Sequence, residues 1–336
     1  MENAQINLLD YLRARTQVDL DTFDVHVTRE VEQCVDCTSN QQYEYYTELV
    51  KQSRRDVLNH AIELAANMHE RFPTVPREEL TVEIGAILLA MEARPFVTGN
   101  MHLMVNPNYA YNQRQTVDAA KRLHRLFHDL DPSFDASRLV LKIAATWEGL
   151  QACRELRYSR IQTLATTLFT MEQAILAGEA GCVSISPFVH ELKEIFTPSY
   201  TGSDPLLPLC VQAQRWFQQQ SWPTKVKACA TIGLNEILQL AGVAALTLVP
   251  DDLKLLQSSH KPADEVQSLS LFSDASALQD QLVYPSYIDD EAGYRMAFAR
   301  AEEGRAQLKL GQAINIFCDF QTKAEQLVRD ARRRDV

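Results

Sequence analysis

The sequence predicts an α/β protein that folds as a closed (β/α)8 TIM barrel with extra N-terminal and C-terminal helices. Eight short apolar segments rich in β-forming residues recur along the chain, and longer segments with helical spacing separate most of them. Strands that alternate with helices favour a parallel sheet, and eight such units favour closure into a barrel. The competing open, doubly wound sheet normally has a glycine-rich phosphate turn after an early strand. This chain has 11 glycines and no GxGxxG motif, which argues against that fold.

The eight predicted strands follow one another from the N-terminus to residue 250. In chain order they are QVDLD (17–21), VEQCVDC (31–37), RPFVTGN (94–100), RLVLKIA (138–144), IQTLATT (161–167), GCVSISP (181–187), KVKACAT (225–231) and AALTLVP (244–250). A helix is predicted after the third strand, because four apolar residues from Val117 to Phe127 share one face at helical spacing.

The chain is longer than the roughly 250 residues usual for such a barrel. A helical stretch at 43–92 and a helical tail from about residue 289 account for the excess length. We expect a single barrel domain that spans residues 1–336.

Composition excludes several classes of protein. A net charge of -11 argues against a nucleic-acid partner, and the longest apolar runs are too short to cross a bilayer, so no membrane partner is expected either. The N-terminal segment lacks a basic start followed by an apolar core, and the seven cysteines are odd in number, which together predict a cytoplasmic, reducing location. Cys34 and Cys37 form one CxxC without a second ligand pair, so we predict no metal site.

The segment LVLKIAATWEGL (139–150) places Lys142 in the middle of an apolar strand. Alternate residues of a strand share a face, so Val140, Lys142 and Ala144 are expected to point into the barrel. Burial disfavours the charged ammonium, and a neutral amine is a nucleophile that forms a Schiff base with a ketone or aldehyde. A lysine on a strand more often extends to the solvent, and these residues alone leave both interpretations open.

Other polar residues fall at the carboxyl ends of the predicted strands, where barrel enzymes carry their active residues. Asp21 and Asn40 could hold the polar groups of a carbonyl substrate. The remaining candidates selected by position are Asp36, Thr38, Thr166 and Ser186.

Several segments resemble transaldolases, in matching order, from about residue 5 to residue 330. LVLKIAATWEG resembles the lysine strand (I/L)-L-I-K-(I/L)-A-S-T-W-(E/Q)-G, and SISPFV (184–189) resembles L-I-S-P-F-V. DLDTFD (19–24) is similar to A-D-T-G-D, DCTSN (36–40) to D-(A/S)-T-T-N, and LAGVAALTLVPDDL to L-A-G-V-D-Y-L-T-I-S-P-A-L-L. The resemblance implies a TIM barrel, a Schiff-base lysine, transfer of a dihydroxyacetone unit between sugar phosphates, no cofactor, and a homodimer.

Residue by residue, the resemblance makes Lys142 the Schiff-base lysine. It implies that Asp21 and Thr166 are catalytic. The substrate-binding candidates are Asn40, Thr38, Ser186 and Phe188.

The third-strand acid of the family is missing. The family strand reads R-(I/V)-S-T-E-V-D-A-R, and alignment from its start places Gly99 at the glutamate. No Asp or Glu occurs between Glu92 and Asp118, so the acid is absent wherever the gap falls. His102 is the titratable residue nearest to the position of the missing glutamate, and it is a further substrate-binding candidate. An asparagine of the family is also replaced, by Leu164.

The phosphate-binding residues of the family are also replaced. Its G-R after S-P-F-V reads His190-Glu191, and Ala230 and Ile232 stand where the resemblance places a serine and a second arginine. A phosphate dianion needs cationic donors, and the charge of Glu191 is expected to repel it.

Three functions remain open. The favoured one is a transaldolase-like biosynthetic enzyme that makes or breaks a carbon–carbon bond, or dehydrates, on a small carbonyl substrate that lacks a phosphate. The alternatives are a genuine transaldolase of the pentose phosphate pathway and a non-catalytic barrel with a binding role. Retention of Lys142 together with Asp21, Asn40, Thr166 and Ser186 argues against the non-catalytic alternative.

Overall fold

A computed structural model describes residues 5–31, 34–38, 40–41, 46–197, 199–273 and 281–334. Eight parallel strands close into a barrel, which confirms the predicted fold class. In order around the barrel they are β2 (Gln17–Leu20), β3 (Cys37–Thr38), β4 (Met101–Met104), β5 (Leu139–Ala144), β6 (Gln162–Leu168), β7 (Ser184–Pro187), β8 (Lys225–Ala228) and β9 (Ala245–Leu248). Outside the barrel, β1 (Gln5–Asn7) pairs antiparallel with β10 (His260–Pro262).

Helices surround the barrel. They are α1 (Leu8–Arg13), α2 (Val25–Glu30), α3 (Arg55–Met68), α4 (Arg77–Ala93), α5 (Gln113–Leu130), α6 (Trp147–Tyr158), α7 (Met171–Ala180), α8 (Leu192–Phe196), α9 (Leu207–Gln219), α10 (Leu234–Gln239), α11 (Pro250–Ser258), α12 (Ala263–Leu269), α13 (Glu291–Arg300) and α14 (Arg305–Arg334). In α5 the apolar face predicted from Val117 to Phe127 is buried. Asn112 caps this helix through the backbone N–H of Gln115.

The third barrel strand lies later in the chain than predicted. The prediction placed it at residues 94–100, but Arg94–Phe96 forms a 3-10 helix and the strand is Met101–Met104. Pro95 lacks the N–H that a strand ladder needs. Gly99 packs closely against the residues that precede β3, and a Cβ on Gly99 would lie 2.2 Å from Asp36 Oδ1. The β-forming Phe, Val and Thr of RPFVTGN therefore gave a misleading strand signal.

The C-terminal helices pack on the barrel. α13 and α14 follow the predicted start of the tail, and α14 is 30 residues long, about 45 Å at 1.5 Å per residue. Near its end, Arg332 Nη1 lies 2.7 Å from Glu78 Oε1 of α4. Earlier in the helix, Phe317 reaches the mouth of the barrel. Within the described ranges, no helix is long and apolar enough to span a membrane.

Candidate active site

Lys142 lies in the centre of β5 with its side chain inside the barrel. The residue is only 8% exposed, and its Nζ lies 2.9 Å from Thr38 Oγ1. Its register partners on the neighbouring strands are Met104 of β4 and Leu164 of β6. The amine is thus enclosed, with apolar residues beside it on both strands.

The register also corrects the alignment of the missing acid. Gly99 lies before β4, on the amino-terminal side of the barrel, where its N–H donates to Val35 O. Met104, not Gly99, holds the third-strand position beside Lys142. The conclusion that this strand carries no carboxylate is unchanged, because β4 reads MHLM.

A cavity of about 130 Å³ opens above Lys142 at the carboxyl ends of the strands. Five of the residues selected from the sequence line it together, and all lie in barrel strands or within two residues of a strand end. They are Asp21, Asn40, Lys142, Ser186 and Phe188. Thr38 joins this group through its contact with the lysine.

Asp21 directly follows β2 and lines the cavity. Its Oδ1 is buried and has no hydrogen-bond partner among the described residues. Burial raises the pKa of Asp21, and the positive charge of Lys142 only partly opposes this rise. A carboxyl group with a raised pKa and an unused oxygen in a cavity is suited to accept and return protons.

Ser186 and Thr166 have different surroundings. Ser186 lines the cavity, and its Oγ donates to Lys227 O at 3.0 Å. Thr166 is buried beside Ala144 in the sheet and is not among the lining residues. β6 is irregular directly after it, where Thr167 has a φ of 56°, a value that is costly for a β-branched residue.

His102 lies one layer deeper than the cavity, two residues before Met104 on β4. Its Nε2 is 3.1 Å from Asp36 Oδ2, and it does not line the cavity. Burial lowers the pKa of His102 to about 4, although Asp36 acts against this shift. The imidazole is therefore neutral at pH 7. His102 lies on β4, not on a loop that folds over the mouth of the barrel, so it is not placed to contact a substrate in the cavity.

The same deeper layer contains a second buried lysine that the sequence analysis did not select. Lys227 of β8 is ion-paired with Asp19 at 2.7 Å and with Asp36. Burial alone would lower the pKa of Lys227, but the two carboxylates outweigh it and raise the pKa. Lys227 is therefore held as an ammonium ion. The alternation rule applied to Lys142 predicts its inward orientation equally well.

The residues expected to oppose a phosphate lie outside the cavity lining. The carboxylate of Glu191 accepts hydrogen bonds from Tyr200 Oη at 2.5 Å and from Gln312 Nε2 at 3.2 Å. Ile232 is 45% exposed. Direct repulsion by Glu191 is thus not supported by this geometry. The relevant feature is that Lys142 is the one lysine or arginine among the described residues that line the cavity.

The outer wall of the cavity is apolar and was not identified from the sequence. Leu192, Ile195 and Phe196 of α8 and Phe317 of α14 form much of it. The α8 residues follow β7, so their position after a strand end was a usable signal. No pattern in the sequence indicates that Phe317 reaches this cavity.

Metal-binding residues are not assembled in the described ranges. No group of three or more His, Cys, Asp or Glu side chains there is placed to hold a metal ion. Cys34 and Cys37 are both buried, and Cys37 Sγ lies 2.8 Å from Thr22 O.

Most of the chain is similar in sequence to proteins of a known family. Residues 18–294 match the family model described as Transaldolase/Fructose-6-phosphate aldolase. A transaldolase of Shewanella amazonensis is 26% identical over 331 residues, covering 96% of this chain and 98% of that protein. One of Alteromonas mediterranea is 29% identical, with the same coverage, and Transaldolase NQM1 of Saccharomyces cerevisiae is 28% identical over 74% of this chain and 72% of its own length.

Proposed function

Since the chain belongs to the Transaldolase/Fructose-6-phosphate aldolase family and is an enzyme of transaldolase or aldolase type, we propose that Lys142 forms a Schiff base with a carbonyl substrate that lacks a phosphate. The reaction makes or breaks the bond between the carbons α and β to the imine, or eliminates water across those two carbons. The observation that carries the proposal is the buried amine of Lys142 at the base of a cavity lined by no other lysine or arginine among the described residues.

The chemistry begins when Lys142 Nζ, as a neutral amine, attacks the carbonyl carbon. A C–N bond forms, the carbonyl oxygen takes up a proton, and the resulting carbinolamine loses water to give a protonated imine. In bond cleavage, a base removes the proton from the β-hydroxyl group, the bond between the α and β carbons breaks, and its electron pair moves toward the imine nitrogen to leave an enamine. Condensation is the reverse of this step.

Three cavity features support these roles. The hydroxyl of Thr38 is close enough to orient Lys142 Nζ. The raised pKa of Asp21 and its unpartnered Oδ1 suit it to carry protons in both stages. Asn40 and Ser186 offer amide and hydroxyl groups to substrate oxygens.

The alternative is a genuine transaldolase, and the curated relatives that carry that name over 96% of this chain favour it. The two candidates differ in whether the cavity binds a phosphate. Glu191 and Ile232 stand at the family's two arginine positions, so two charge-assisted hydrogen bonds to a phosphate are lost. Each such loss costs about 1.5–3 kcal/mol. At about tenfold per 1.4 kcal/mol, the catalytic efficiency on a sugar phosphate falls by about 10²–10⁴-fold.

The test is kcat/KM with fructose 6-phosphate as donor, measured beside the Alteromonas mediterranea transaldolase. We expect the value for this protein to be lower by at least about a hundredfold. Ile232→Arg, at an exposed position two residues beyond the cavity-lining Ala230, should recover part of the loss. Leu308→Arg, at a position 73% exposed on α14, is the matched control and should not. Equal efficiency of the two wild-type enzymes would favour the genuine transaldolase.

A further inference from the structure

Two chemically distinct groups of residues line the cavity. Asp21, Asn40, Lys142 and Ser186 form a polar group at the strand termini. The second group is an apolar wall, which consists of Leu192, Ile195 and Phe196 of α8 and Phe317 of α14. A substrate held at Lys142 must therefore place its remaining atoms against carbon-rich side chains.

Contacts between α8 and α14 hold this apolar wall in place. The rings of Phe196 and Phe320 pack edge to face with centroids 6.2 Å apart. Gln312 of α14 accepts a hydrogen bond from the backbone N–H of Lys193 at 3.1 Å and donates to Glu191 at 3.2 Å. The wall is thus built from two helices that are fixed to each other by aromatic packing and by hydrogen bonds.

Two lysines of these helices, Lys193 and Lys309, are engaged by other groups. Lys193 Nζ lies 4.6 Å from the centroid of the Tyr200 ring. Lys309 Nζ lies 2.5 Å from Glu302 Oε2. The additional charged group on the cavity lining is the carboxylate of Asp252. An anionic group against this wall would leave water without a cationic partner, which is costly.

We infer that the substrate is a ketone or aldehyde with its carbonyl at Lys142 and an uncharged, apolar group against the apolar wall. This inference rests on the proposed Schiff-base function and adds the substrate class. Each methylene removed from water strengthens binding by up to about fourfold. The wall thus selects for an alkyl or aryl substituent and against a carboxylate or phosphate at the same position.

The test compares two ketones of nearly equal shape, 5-methylhexan-2-one and levulinate, which differ in an isopropyl group against a carboxylate. Each is incubated with the full-length protein and sodium cyanoborohydride at pH 7, and the reduced adduct on the Lys142 peptide is followed by mass spectrometry. We expect the neutral ketone to label Lys142 at least about tenfold faster, because the carboxylate must be desolvated without a partner.

Variants locate the effect on the apolar wall. Ile195→Asp should abolish most of the preference for the neutral ketone, whereas Leu308→Asp, on the exposed side of α14, should leave it unchanged. Labelling of Lys142 by both ketones at equal rates, or faster by levulinate, overturns the substrate class and leaves the Schiff-base function standing. Labelling of Lys142 by neither ketone overturns both. The wild-type comparison stands even if Ile195→Asp does not fold.

Discussion

Replacement of Lys227 by methionine should destabilise the barrel strongly. The Lys227 ammonium is almost fully buried between the carboxylates of Asp19 and Asp36, which are themselves buried. Lys227→Met keeps most of the side-chain volume but removes the charge. Asp19 retains hydrogen bonds from Gln17 Nε2 at 2.8 Å and from the backbone N–H of Asp36 at 3.1 Å, yet no cation then faces it among these partners.

The magnitude follows from the cost of leaving a buried charge without its partner, about 3–5 kcal/mol. The unfolding entropy of a 336-residue chain is about 0.7 kcal/mol/K, at about 2.1 cal/mol/K per residue. The expected loss of Tm is therefore about 4–7 °C. Lowering the pH should reduce this loss, because burial already raises the pKa of Asp19 and removal of Lys227 raises it further, which makes protonation of the unpaired carboxylate easier.

The assay is thermal unfolding followed by circular dichroism at pH 7 and pH 5. Lys225→Met is the matched control, since Lys225 lies on the same strand and is exposed, with its Nζ bonded to Gln17. This control should change the free energy of unfolding by no more than about 0.5 kcal/mol. Equal Tm values for Lys227→Met and Lys225→Met at pH 7 would refute the reasoning about the buried ion pairs.

Two further predictions concern Asp21 and His102. Asp21→Asn should lower turnover by at least about tenfold, which is less than a general acid–base group usually contributes. The control Asp251→Asn, at an exposed position, should leave turnover unchanged. Equal turnover of the two variants would contradict the role of Asp21 in proton transfer. The pKa of His102 is about 4 when folded, against 6.5 unfolded, so the unfolded chain binds the proton first and stability falls as the pH drops from 6.5 to 4. At about 1.4 kcal/mol per pH unit this reaches about 3 kcal/mol, and urea unfolding of His102→Gln should show a shallower pH dependence; an unchanged slope rules this out.

The barrel was predictable because each strand carries its own signal. Apolar runs separated by amphipathic helices need no knowledge of distant contacts, and the inward orientation of Lys142 follows from alternation along β5 alone. The third strand was misplaced because β-forming residues at 94–100 outweighed Pro95, whose missing N–H excludes it from a central ladder. That error also hid the depth of His102, which depends on where β4 begins.

The apolar wall could not be predicted, because it depends on contacts between distant segments. Phe317 reaches the cavity from α14, and the packing of Phe196 against Phe320, together with the hydrogen bond from Lys193 N–H to Gln312, brings α8 and α14 together there. The orientation of the Glu191 side chain could not be predicted for the same reason. Its charge was readable from the sequence, but its hydrogen bond with Gln312, far along the chain, decides where the carboxylate points.

We expect Lys142, and not the buried Lys227, to be the Schiff-base nucleophile. The direct test is reduction with cyanoborohydride in the presence of dihydroxyacetone, followed by peptide mapping of the wild type and of Lys142→Arg. Because Lys227 is held as an ammonium by two carboxylates while Lys142 lines the cavity, we expect rapid labelling of Lys142 and its complete loss in the folded variant. Labelling at Lys227, or labelling of the Lys142→Arg variant as fast as the wild type, would contradict it.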